Sequence, residues 1–147
     1  MSAIRDIAKL VPQHGAMVLL DVVVRYDEAS LIARVTGHRD RDHPLLHAGR
    51  LPVWAGVEYA AQAMAAHFCL ASQMQGAATI GLLGGLRDVM CSTAYLDDID
   101  GSLLVAVERL SRDVAGSIYA FRLTGEADGR ELIRGRATVV QQVRGQA

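Results

Sequence analysis

Hydrophobic and polar positions alternate with a period of two through most of this chain and lose that rhythm in one stretch. The exception is Pro52 to Ser72, PVWAGVEYAAQAMAAHFCLAS, which holds no Lys, Arg or Asp. Ala and Met favour helix, and Pro52 suits a first helical turn, where its missing N–H costs nothing. The stretch predicts a helix about 30 Å long at ~1.5 Å rise per residue. A helix apolar on nearly every side is normally buried on most of them. Glu58 and Gln62 interrupt it early, four residues apart and therefore on one face. A carboxylate in that setting needs a partner, water or a raised pKa. Glu58 is thus the expected centre of the chemistry.

The other segments read as wrapping for that helix. Ser2 to Val11 predicts a short amphipathic helix, capped by Ser2, with Ile4, Ile7, Ala8 and Val11 on one face and Pro12 ending it. Gln13-His14-Gly15 is a turn. Strands are expected over Met17–Tyr26, Ser30–Val35, Thr79–Cys91, Leu103–Leu110, Val114–Thr124 and Glu131–Val143. Asp128-Gly129 signals a hairpin. Gly84-Gly85 inside the third strand marks a bulge or a close approach of backbone or ligand. Gly37 to Leu51 is a long irregular loop holding three of the five histidines, and loops of that length are often functional. Short turns between the late strands imply antiparallel pairing. The expected architecture is α+β, one antiparallel sheet of about six strands curled round one helix, as a single domain over 1–147.

Composition narrows the function more than the fold. Of 147 residues, 51% are hydrophobic and 21% charged, an ordinary globular balance. The formal net charge is −1 with no basic block, so nucleic acid is not an expected partner. Cys69 and Cys91 sit in apolar segments without metal or redox spacing and read as reduced structural thiols. The N-terminus has neither a long apolar core nor a small-residue cleavage site, so no signal peptide is expected. Val53–Ser72 is long enough to span a membrane, but its alanine richness and Glu58 argue against that. The expectation is a soluble cytoplasmic protein that needs no membrane.

The order of elements resembles the hot-dog fold, and the helix resembles that of its β-hydroxyacyl-ACP dehydratase branch. In that family a proline opens the helix and a glutamate follows six positions on, within Glu-Ala-x-Ala-Gln. Here Pro52 is followed by Glu58-Tyr59-Ala60-Ala61-Gln62. The family's Pro-His, short gap and apolar run ending in Asp is matched by Pro12-Gln13-His14 leading to Met17-Val18-Leu19-Leu20-Asp21. The chain is most similar to small dehydratase-like proteins of aryl polyene and related polyketide-type clusters, which share a Gly-Arg-Leu-Pro approach and a Glu-Tyr-x-Ala-Gln helix, here Gly49 to Gln62. Three features depart from the family. Its histidine lies in Gly-His-Phe-Pro, fourteen residues before the glutamate, where this chain has Pro44; its helix-opening Pro-Gly is Pro52-Val53; and its Pro-Gly-Asp turn is replaced by Asp98-Ile99-Asp100-Gly101.

The resemblance implies a 3-hydroxyacyl-thioester dehydratase in fatty-acid or polyketide-type biosynthesis, acting on acyl carrier protein without metal or redox cofactor. Glu58 would be the general acid; the alternative is a structural glutamate bonded to the facing loop. His43 would be the base that takes the α-proton, with His47 as the second candidate; a turn histidine at His43-Pro44 is the plain alternative. Gln62 would orient the Glu58 carboxyl or a substrate carbonyl, or serve as a buried hydrogen-bond group. The N–H groups of Val53 and Trp54, at the helix N-terminus, would polarise the thioester oxygen. Trp54 would line the acyl tunnel or pack in the core, and Gly84-Gly85 would let an acyl chain pass. His38, among charged residues, is expected to be solvated, His67 packed or capping, and His14 a brace for the N-terminal turn. Two further readings stay open: a thioesterase with Glu58 activating water, and a non-catalytic subunit of an active hot-dog partner. Six strands leave two open edges, so a homodimer or larger assembly, or a heterodimer with another hot-dog protein, is expected, with His43 and Glu58 of one site on different chains.

Overall fold

The computed structural model describes residues 3–76 and 79–143. Its regular elements are β1 (Val22–Tyr26), β2 (Ser30–Val35), α1 (Ala55–Met74), β3 (Thr79–Cys91), β4 (Leu103–Arg112), β5 (Gly116–Gly125) and β6 (Glu131–Val143). The strands form one sheet in the order β1-β2-β4-β5-β6-β3, each neighbour antiparallel. The strand that follows the helix therefore lies at the opposite edge from the strand that begins the sheet.

Alternation puts one apolar row from each strand on the concave face. Leu31, Ala33 and Val35 of β2 stand beside Val107, Val105 and Leu103 of β4, and Phe121, Leu123, Ile133, Ala137 and Val139 continue the row. α1 lies in this curl, with Ala60, Ala63, Met64 and Ala66 fully buried. Small residues allow close approach. A Cβ at Gly56 would stand 2.9 Å from Ile133 Cγ2 and 3.2 Å from Leu123 Cδ2, so a side chain there would push the helix off the sheet. No helix among the described residues is long and apolar enough to cross a membrane.

The structure corrects four local expectations. The N-terminal segment is not an amphipathic helix. Ile4 exchanges two backbone hydrogen bonds with Val23, at 3.0 and 2.8 Å, and only Ile7–Lys9 makes a 3₁₀ turn; the predicted cap, Ser2, lies outside the described residues. An isolated helix that short is marginal, whereas the open edge of β1 offers backbone partners, and Ile7 and Val11 are buried either way. The first strand begins at Val22 rather than Met17, because Gly15–Met17 is a 3₁₀ turn and the Leu19 N–H goes to a side chain on α1. α1 begins at Ala55 and not at Pro52, because Pro52 bridges Tyr95 and the Val53 N–H donates to Ala94 C=O at 2.9 Å. His38 is buried rather than solvated, its Nε2–H donating to Ile99 C=O at 2.9 Å.

Other expectations hold. β2, β3 and β6 have the expected bounds. Gly129, at φ +70°, lies in the turn from β5 to β6. The pairing of β3 with β6 shifts register between Leu83 and Gly85, so the Gly84-Gly85 pair does mark a bulge. A second shift follows between Arg87 and Met90, where Asp88 has φ +56°.

His67 is packed in the core, fully buried, where α1 meets β5. It donates Nε2–H to Asp27 C=O at 3.0 Å, and Nδ1 accepts the Tyr119 O–H at 2.7 Å. Both nitrogens are satisfied by the neutral ring. Burial, aided by the Arg109 charge, holds its pKa below the usual 6.5 despite the Asp27 carbonyl. The unfolded chain therefore takes up this proton at a higher pH than the folded one, and stability falls as pH drops below about 6.5. Carboxylates with lowered pKa, such as Asp27 and Asp97, act only below about pH 4. We expect the urea midpoint to fall between pH 6.5 and 5, and Phe in place of His67 to flatten that slope. A slope unchanged by His67→Phe contradicts this account.

Candidate functional site

The polar residues at the start of α1 face three different segments of the chain. Glu58 is half-buried, and its Oε1 accepts two side-chain amide N–H groups, from Gln13 Nε2 at 2.8 Å and from Gln62 Nε2 at 3.2 Å. Gln62 is fully buried and held in three directions. Its Oε1 accepts the Leu19 N–H at 2.9 Å, and its Nε2 donates to Met17 C=O at 2.6 Å as well as to Glu58. The two open roles of Gln62, orienting the carboxyl and serving as a buried hydrogen-bond group, are thus filled by one amide. The facing turn is also bonded to Glu58, through Gln13. Sequence reading saw Gln13 only as part of a turn; the signal it missed is that 12–16 folds back over the helix start.

Tyr59, the next residue, points into the core and is fully buried. Burial first, and then the charges of Asp21 and Asp40, hold its phenol pKa far above the usual 10.0. Its Oη is 2.7 Å from His43 Nε2. The Leu45 N–H donates to His43 Nδ1 at 3.0 Å, so the ring proton sits on Nε2 and is donated to the tyrosine. His43 is 8% exposed, and both its nitrogens are occupied within the chain. Burial lowers its pKa below 6.5, and Asp40 opposes that shift. In this arrangement His43 braces the loop over 37–51 against α1 and presents no free lone pair. His47 is exposed, and its backbone bridges Arg50.

The approach to the helix is fixed by charge. Arg50 reaches Asp97 at 2.8 Å and Asp98 at 2.6 Å, and its guanidinium stacks 4.0 Å from the centre of the Tyr95 ring. These contacts tie 50–53 to 94–98 and account for the engaged Val53 N–H. Val53 is therefore unavailable as the main-chain donor expected of it, which leaves Trp54 for that role. The Trp54 side chain is 56% exposed and packs in no core. Gly84 and Gly85 lie on the edge strand, away from Glu58 in sequence and on a different element. His14 is exposed, and its backbone C=O accepts the Met17 N–H.

No group of three or more His, Cys, Asp or Glu among the described residues is placed to hold a metal. A groove of about 720 Å³ lies on the sheet face away from α1, walled by Arg25, Arg122, Arg134 and Arg136, and holds none of the expected site residues. On the Glu58 side of the helix, by contrast, an anchored carboxyl meets the surface.

His43 and His47 separate cleanly in their expected effects. His43→Ala leaves Tyr59 and the Leu45 N–H without their partner and should cost about 1–3 kcal/mol of stability in urea denaturation. His47→Ala, at an exposed site, should stay within about 0.5 kcal/mol. Equal midpoints for the two variants contradict the bracing role.

Comparison with known proteins agrees with this fold. The dehydratase heterocomplex ApeI:P of Xenorhabdus doucetiae contains a chain with 25% identity and a TM-score of 0.80, covering 94% of this chain and 91% of that one. Two thioesterases share the fold at lower identity. The Haemophilus influenzae thioesterase HI1161 has 10% identity and a TM-score of 0.63, covering 84% of this chain and 79% of its own. Zebrafish thioesterase superfamily member 2 has 13% identity and a TM-score of 0.64, covering 92% and 91%. No curated protein sequence matches the chain. Six antiparallel strands round one long helix make this a hot-dog fold. The family model described as ApeP-like, ApeP dehydratase, matches residues 5–147, and the chain belongs to that dehydratase family.

Proposed function

We propose that this chain is one half of a paired 3-hydroxyacyl-thioester dehydratase, in which Glu58 is the general acid. The observation that carries the proposal is the Glu58 carboxyl itself. One oxygen is anchored by two amide donors, the other makes no hydrogen bond among the described residues, and the whole stands on a rigid helix in a dehydratase-family chain. Loss of water from a 3-hydroxyacyl thioester needs a base at C2 and an acid at the departing oxygen. The base takes the C2 proton, the C–H electron pair becomes the C2=C3 double bond, and the C3–O bond breaks. Glu58 gives its proton to the leaving hydroxyl, so water departs and a trans-2-enoyl thioester remains. General acid–base groups contribute ~10²–10⁴-fold to such steps.

The base is assigned to the loop histidine of a second hot-dog chain. His43 of this chain is engaged at both nitrogens, and the relative in Xenorhabdus doucetiae was solved as a heterocomplex. Both facts support a distinct partner over a second copy. The surface for it is β3, an edge strand with no strand beyond it among the described residues. Leu83, Leu86, Val89 and Met90 are 39–56% exposed along it. An exposed apolar edge is a pairing site unless something covers it. Edge-to-edge pairing there extends the sheet and encloses the acyl chain between the two protomers. The acyl group is carried on acyl carrier protein. Localisation is proposed as cytoplasmic, with the 1–147 chain acting as one domain. Hydrolysis remains the alternative outcome, but the thioesterase likenesses carry the fold alone.

The test uses the purified pair and a 3-hydroxyacyl carrier protein, read by mass spectrometry for loss of water or release of free acid. The chain with its partner should yield the enoyl product. Glu58→Gln should reduce that yield at least ~100-fold with an unchanged melting temperature; activity within about threefold of wild type would sink the acid assignment. A charge at the centre of the edge should also prevent assembly. Leu86→Glu is expected to leave a monomer in light scattering, and a pair that survives this change places the interface elsewhere.

A further inference from the structure

Gln13 is the one side chain in the site whose placement is costly to the fold. Its Nε2 donates to Glu58 Oε1 at 2.8 Å, while its own Oε1 is buried with no partner among the described residues. A buried, unpartnered amide oxygen costs about 1–3 kcal/mol. A leucine or methionine would fill much the same space without that cost. The balance is restored only if the N–H on the carboxyl matters. At 2.8 Å the bond is at the short end of the usual N–H···O range.

Gln62 cannot do the same work alone. It is four residues from Glu58 on the same helix, and its 3.2 Å contact is the longer of the two. Its Nε2 is shared with Met17 C=O at 2.6 Å. Gln13 approaches from a separate segment, the turn that follows Pro12, and so fixes the carboxyl against rotation about bonds that the helix leaves free. Both donors meet on Oε1. That oxygen is saturated, and Oε2 is the one left to carry a proton.

We propose that Gln13 is a positioning residue, which with Gln62 pins Glu58 Oε1 and dedicates Oε2 to proton transfer. This rests on the reading of Glu58 as the acid. A misplacement of about 1 Å in a catalytic group can cost ~100-fold in rate, so the anchoring matters to kcat rather than to substrate binding.

The deciding variant is Gln13→Leu in the assembled pair. It removes the donor and also the unpartnered oxygen. The expected result is kcat lower by roughly 10- to 100-fold, KM within about twofold, and a melting temperature unchanged or raised. Gln13→Met serves the same purpose if leucine does not fold. A merely structural glutamine would give the reverse, a lowered melting temperature with kcat retained, and that result would overturn the proposal. A second readout does not depend on turnover. The side-chain amide signals of Gln13 and Gln62 in the ¹⁵N–¹H spectrum should both move on Glu58→Ala. A Gln13 signal that stays in place means there is no clamp. If both signals move while the wild-type pair forms no enoyl product, the clamp stands and the dehydratase reading fails.

Discussion

Everything in this structure follows from enclosing a helix that has almost no polar face. α1 is buried from Ala55 through Ala71 with few interruptions, and only a curled sheet can cover it on several sides at once. Enclosure makes each polar side chain on the helix an obligation, because a buried polar group without a partner costs free energy. Among the described residues, four of these side chains are met by groups elsewhere in the chain. Glu58 is met by Gln13, Tyr59 by His43, Gln62 by Met17 and Leu19, and His67 by Asp27 and Tyr119. These hydrogen bonds tie the turn after Pro12, the long loop and the β1–β2 connection to the helix, beside apolar contacts from Leu19, Leu20, Leu46 and Leu51.

The same rule sorts the four by function. Tyr59 and His67 are closed pairs, with every ring nitrogen used. Burial keeps both histidines neutral around the working range of an enzyme. Glu58 differs because it sits half-way out and has one oxygen beyond the two amide contacts. A group held on one side and open on the other is what the proposed proton transfer requires. The open sheet edge at β3 is the larger form of the same incompleteness. The fold covers α1 but leaves apolar side chains exposed along this edge strand.

The helix, the six strands and the shared face of Glu58 and Gln62 were legible in the sequence, because those features are written in period, propensity and i,i+4 spacing. It was silent where long-range hydrogen bonds outweigh local preference. Ser2–Val11 has a helical pattern, yet Ile4 finds backbone partners on Val23. Pro52 has the look of a first helical residue, yet its neighbour's N–H is spent on Ala94. His38 lies in a charged run and is nevertheless buried against Ile99. The histidine nearest the family position, His43, turned out to face Tyr59, which entered the sequence reading only as part of the Glu-Tyr-x-Ala-Gln motif. Gln13 could not be found from spacing at all, since its partner lies 45 residues away.

The most direct measurement is a structure of the chain with its hot-dog partner and a non-reactive 3-hydroxyacyl amide in the site. The account predicts the 3-hydroxyl at roughly 2.6–3.2 Å from Glu58 Oε2, with Oε1 still held by Gln13 and Gln62 and a partner histidine beside C2. A 3-hydroxyl bound away from Glu58, or a site in which this chain's carboxyl faces no part of the ligand, would contradict it.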